Sequence, residues 1–155
     1  MTRIISIMAI LLAFLTLYFF LFFKQVKDIN CISVIQYQYN YGVTTDIVSG
    51  SLLFILSEGD GIVTYSAKVT TDDKNYIINR EANVEYSITN GFLHIKTVHL
   101  TNRDGDNLPE NLAFKYLYSF LIKSNGWVSL KIDRDVKSGY IMSTSIVPQL
   151  YCNKL

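Results

Sequence analysis

The sequence predicts an N-terminal transmembrane helix followed by a mainly antiparallel β domain with one helix, built as a curved sheet or a small barrel of seven or eight strands. Three observations predict this. Residues 4–23, IISIMAILLAFLTLYFFLFF, run without one charge. From residue 35 onward apolar side chains recur mostly at period two, between turn-forming stretches. One stretch alone, LPENLAFKYLYSFL (108–121), switches to helical spacing.

The apolar run comes first. Twenty residues at about 1.5 Å of helical rise span roughly 30 Å, the thickness of a bilayer's hydrocarbon core. Fourteen of the twenty are Ile, Leu or Phe, and the only polar interruptions are Ser6, Thr16 and Tyr18. At about −0.3 to −0.6 kcal/mol per such residue near a helix centre, insertion is favoured by several kcal/mol. A cleaved signal peptide is the alternative. It has a core of about 7–15 residues and a small-residue exit, whereas this run leaves through FFLFFKQVKDIN. The reading is therefore an uncleaved anchor over 4–23, a short N-terminus over 1–3, a tether over 24–30 and one domain over 31–155. Flanking charge is nearly balanced, with Arg3 on one side and Lys24 and Lys27 on the other.

The cysteines bear on orientation. Cys31 and Cys152 bracket the domain, with no thiol between them. A pair so placed suits an oxidising compartment in which a bridge persists; two reduced, unrelated thiols are the other reading. A bridge here fastens the last strand to the first, outside the cytoplasm.

Along the domain, IQYQYNY (35–41) puts Ile35, Tyr37, Tyr39 and Tyr41 on one face. SLLFILS (51–57) is a continuous apolar run, as in a strand covered on both sides. EGDG (58–61) turns the chain into IVTYSAKVT, where Val63, Tyr65, Ala67 and Val69 share a face. After DDK (72–74), YIINREANVEYSI (76–88) alternates again, and Asn90-Gly91 is the strongest hairpin signal in the chain. The phase of the next strand slips at Lys96-Thr97, which predicts a bulge. NRDGDN (102–107) leads into the helix, whose first turn suits Pro109 and Glu110. Its apolar face carries Ala113, Tyr116, Leu117, Phe120 and Leu121. Strands near 126–134 and 138–152 follow, the last bent or at an edge because of Pro148.

No catalytic constellation can be assembled. His94 and His99 lie on one strand, about 16 Å apart when extended, too far to share an ion. NRDGDN looks like the start of a calcium loop but lacks the glycine at the sixth position and the carboxylate at the twelfth. No GxSxG, HExxH, P-loop or GxGxxG occurs, and nothing beside Cys31 would activate it. Residues 28–155 carry 11 Lys and Arg against 13 Asp and Glu, which gives no basic face for nucleic acid. No cofactor is expected.

Three features are candidates for interaction. Arg80 falls in phase with the apolar face of its strand, so its guanidinium needs a partner: a carboxylate of this domain, or one from a ligand or partner protein. Trp127 falls out of phase with Val128 and Leu130, which places it either outside as an interface anchor or under the helix. Tyr37, Tyr39 and Tyr41 suit an amphipathic ligand or simply fill a β core.

TDDKNYIINR (71–80), NLPE (107–110) and the closing YC (151–152), behind an N-terminal anchor, resemble the FidL-like membrane proteins of enterobacteria. The likeness covers nearly the whole chain, although the glycine expected after the double Asp is absent here. The resemblance implies an inner-membrane protein with a periplasmic domain. Its expected partner is a transmembrane transcriptional regulator similar to the ToxR and CadC types. It also implies a lipocalin-like barrel that binds an amphipathic small molecule. Such a domain is expected to hold its partner by strand-edge pairing and burial of an apolar patch. A stand-alone envelope module for lipids or small molecules is the alternative. The family brings no catalytic residues.

Overall fold

The computed structural model describes residues 11–18, 28–42, 44–134, 139–144 and 150–155. Residues 11–18 form a helix, α1, with its side chains exposed. Among the described residues no helix is long and apolar enough to cross a membrane. Of the apolar segment 4–23, only 11–18 lies within them.

Eight antiparallel strands close into a barrel in sequence order. They are β1 (Ile29–Tyr41), β2 (Thr44–Ser57), β3 (Asp60–Thr70), β4 (Asn75–Thr89), β5 (Phe92–Asn102), β6 (Trp127–Arg134), β7 (Gly139–Ser143) and β8 (Leu150–Lys154). Between β5 and β6 lie a short helix, α2 (Glu110–Tyr116), and a 3-10 turn, Ser119–Leu121. Eight strands enclose an interior just wide enough for side chains to fill. Ile29, Ile35, Leu52, Phe54, Val63, Tyr65, Leu93 and Leu130 do so, each at most 1% exposed.

The period-two faces read from sequence are the inward faces. Val63, Tyr65, Ala67 and Val69 are buried, as are Ile78, Ala82, Val84 and Tyr86. Asn90 and Gly91 both take positive φ, 53° and 80°, as a tight β4–β5 hairpin requires. Gly50 permits a close approach, since a Cβ there would lie 2.2 Å from the Ser66 carbonyl oxygen on β3.

Four expectations are corrected. SLLFILS is covered on one side only, because Leu52, Phe54 and Leu56 point in while Ile55 is 46% exposed. The slip in β5 falls at Val98, with Thr97 opposite Val84 and His99 opposite Asn83. The helix over 108–121 is interrupted: Leu117 and Tyr118 take extended backbone, with ψ of 148° and 147°. Ala113, Tyr116, Leu117, Phe120 and Leu121 are nevertheless all buried, because this stretch packs against two walls of the barrel. The strand over 138–152 is two strands, β7 and β8, and Pro148 lies outside the described residues.

Cys31 and Cys152 form a disulfide with Cα atoms 5.4 Å apart. It lies at the seam that closes the barrel, where among the described residues β8 pairs with β1 over Cys31–Ser33.

Candidate functional site: the plugged mouth of the barrel

The barrel wall has uneven height. β1 and β2 pair up to Tyr41 and Thr44, and β3 and β4 up to Thr70 and Asn75. β6 begins at Trp127, opposite Lys96, so β5 runs on above it from Thr97 to Asn102. At the end of the barrel away from Ile29 this leaves, among the described residues, no strand between the upper parts of β5 and β1. The segment 108–126 crosses there and is tied to both sides.

On the β1–β2 side, Asp46 Oδ2 accepts hydrogen bonds from Lys115 Nζ at 2.5 Å and Tyr116 Oη at 2.6 Å. The Tyr37 and Tyr118 hydroxyls meet at 3.0 Å, and the Tyr39 ring stands edge-on to Tyr116 with centroids 5.9 Å apart. Lys115 Nζ also sits 4.1 Å above the Tyr41 ring, within cation–π range. On the β4–β5 side, Arg80 Nη1 donates to the Leu121 carbonyl at 3.0 Å, and the Thr97 hydroxyl donates to the Phe120 carbonyl. Arg80 Nε donates to Asp106 Oδ2 at 3.1 Å, with both side chains about 95% buried. The inward arginine thus has a carboxylate of its own domain.

The electrostatics follow from burial. Burial pushes the phenols of Tyr37, Tyr39, Tyr65, Tyr116 and Tyr118 up from their ordinary value, so they stay neutral at physiological pH. Lys115, and after it Tyr116, holds the Asp46 carboxyl below its usual range. Asp46 in turn raises Lys115. A carboxylate with a lowered folded value contributes stability above its ordinary value of 3.8, and that contribution is lost as pH falls further. Replacing Asp46 with Asn is expected to cost about 2 kcal/mol at neutral pH. In urea titrations at several pH values, the gap between variant and parent should close below 3.8.

One hydroxyl inside the mouth is unmatched. Tyr65 Oη is buried and has no hydrogen-bond partner among the described residues. Burying an unsatisfied hydroxyl costs roughly 1–3 kcal/mol. Tyr65→Phe is therefore expected to leave stability unchanged or raise it by about 1 kcal/mol. A loss of similar size in thermal melts would mean that the hydroxyl is satisfied in solution.

Tyr37, Tyr39 and Tyr41 thus come together with α2, and Arg80 joins them from the opposite wall. Trp127 does not: it is 67% exposed on the outer face, beside a shallow groove of about 320 Å³ shared with His94 and Lys96. His94 and His99 are also outside, and the ring nitrogen Nδ1 of His94 lies 2.9 Å from the Ser129 hydroxyl. Among the described residues no group of three His, Cys, Asp or Glu could hold a metal ion. Among the described residues the mouth offers phenols that stay neutral and two ion pairs, Asp46–Lys115 and Asp106–Arg80, groups that position and bind.

Sequence reasoning missed Asp46, Lys115, Tyr118 and Asp106. Asp46 carried the same signal as Arg80, a charge in phase with Val48, Leu52 and Phe54 on the buried face of its strand. The chain matches no protein-family model and no characterised protein.

Proposed function

We propose that this chain is a non-enzymatic accessory protein of the bacterial inner membrane. Residues 4–23 anchor it, residues 1–3 face the cytoplasm, and the barrel stands in the periplasm, where the Cys31–Cys152 bridge persists. The barrel binds and stabilises a membrane-bound regulator of the ToxR or CadC type.

The observation that carries this reading is an apolar strip on the outer wall near the start of β1. Ile62 lies opposite Ile55, and Leu53 lies opposite Ile32. Val34 continues the strip and is 78% exposed, with Ile55 at 46% and Ile62 at 39%. Because β1 follows the tether directly, the strip lies toward the membrane, where a single-pass partner's outer domain begins. Closure pairs both edges of the strands in this half of the barrel, so docking proceeds through the face of the wall.

Purification of the tagged full-length protein in a gentle detergent tests this reading. A regulator should accompany it in near-equal amount and be lost on Ile55→Asp with Ile62→Asp. A clean monomer from the parent protein would end the reading.

A stand-alone envelope module that binds a lipid or small amphipath is the second reading. Its support is the unmatched Tyr65 hydroxyl beside the Tyr37–Tyr118 pair, under a plug fastened by polar contacts.

A further inference from the structure

The upper half of β5 has one side without a strand. Among the described residues, β6 pairs with β5 only over Phe92–Lys96. At Thr97 the last contacts on that side are made by the loop before β6: the Thr97 N–H donates to the Gly126 carbonyl at 2.9 Å, and the Thr97 carbonyl accepts from the Asn125 N–H at 2.8 Å. Val98 is the bulged residue, so the pattern resumes one position late. Thr97 and Leu100 face inward, while Val98 and His99 face out. In a strand, residues that share a face present their N–H and C=O groups to the same neighbour. Leu100 and Asn102 therefore repeat the orientation of Thr97, away from β4. The opposite alternation reaches β4, as the Arg103 N–H donating to the Asn79 carbonyl at 2.8 Å shows.

Beside this edge runs a groove of about 540 Å³. Leu100 and Asn102 form one wall; Ala113 and Phe114 of α2 and Ile122 to Ser124 form the other. Phe114 is 77% exposed. Glu110 and Lys123, also in the lining, take part in none of the ion pairs among the described residues.

We propose that this groove receives an extended segment of the partner protein, which adds a strand to β5. The inference rests on the accessory-protein reading and names its second contact. Two donor–acceptor pairs two residues apart match the repeat of a strand, about 6.6–6.8 Å, and an extended segment satisfies both at once. Leu100, Phe114 and Ile122 take the segment's inward apolar side chains. Lys123 and Glu110 take an acidic and a basic side chain at its two ends. The bulge at Val98 turns this edge away from the regular wall, and the plug keeps it from pairing with itself.

A photo-crosslinking amino acid placed at Phe114, and separately at Ile55, tests this in the full-length protein in native membranes. The expected Phe114 adduct maps by peptide mass spectrometry to an extended segment of the co-purifying regulator. It should fall at least tenfold on Asn102→Pro, which removes one outward N–H and leaves the β4 ladder intact, while the Ile55 adduct persists. Persistence of the Ile55 adduct also reports that the variant is folded. An Ile55 adduct without a Phe114 adduct overturns the strand site and leaves the outer-wall reading standing. A Phe114 adduct indifferent to Asn102→Pro, with Lys123→Glu also without effect, overturns strand addition. Loss of both adducts in the parent protein overturns both readings.

Discussion

Replacing Cys31 and Cys152 together with Ser is expected to destabilise the barrel by about 5 kcal/mol. The bridge closes a loop across a separation of 121 residues, and the loop-closure entropy it removes from the unfolded chain grows with that length. Whole-domain stabilities are about 5–15 kcal/mol, so this is a large share of the total. The location concentrates the effect. β7 and β8 have five residues each, and among the described residues the seam to β1 is paired over Cys31–Ser33, with the Leu155 N–H donating to the Asn30 carbonyl beyond it. The bridge fastens β8 to β1 within this short seam. Urea unfolding of the full-length protein in detergent, followed by near-ultraviolet dichroism of the tyrosines, measures the loss. A shift below about 1 kcal/mol would mean that the unfolded chain is already compact around this seam.

Asp106→Ala is expected to cost about 3–5 kcal/mol. One oxygen of this carboxylate accepts from Arg80 Nε at 3.1 Å and from the Asn79 N–H at 3.0 Å; the other accepts from the Leu108 N–H at 3.3 Å. With the carboxylate gone, a guanidinium 5% exposed keeps, among the described residues, only the Leu121 carbonyl at 3.0 Å. Removing one member of a buried pair leaves the other's desolvation uncompensated, which is why the loss exceeds the net value of the pair. Asp106→Asn should cost less, since it keeps an acceptor for the backbone. Arg80→Met combined with Asp106→Ala should cost less than the two single changes added, because each then no longer strands the other. Thermal unfolding of the four proteins gives the cycle. Additivity would show that the two side chains do not depend on one another. The loop 103–108 sets the start of α2, so faster amide exchange over 108–121 should accompany the loss in Asp106→Ala.

The strands were legible because burial on one side of a wall imposes strict alternation, which β3 and β4 keep along their length. The closure was not, since a curved sheet and a barrel share that alternation and differ only in whether β8 meets β1. The bulge was legible to within a residue or two from the phase slip, but its exact place depends on pairing with Asn83 and Val84. The helix over 108–121 was over-read: its apolar spacing continues through Leu117 and Tyr118, where contacts to two walls draw the backbone out. Trp127 and the tyrosine face were readable from phase alone. The Asp46–Lys115–Tyr116 group was not, since it joins residues about 70 positions apart that only the barrel brings together.

In the proposed role the filled, closed barrel acts through its outer surfaces on another protein. Native mass spectrometry of the full-length particle, released from native membranes into a gentle detergent, reads this out. One barrel chain with one regulator chain is expected, and the bare chain alone after Ile55→Asp with Ile62→Asp. A single barrel chain carrying a small molecule and no protein, unchanged by those substitutions, would contradict it.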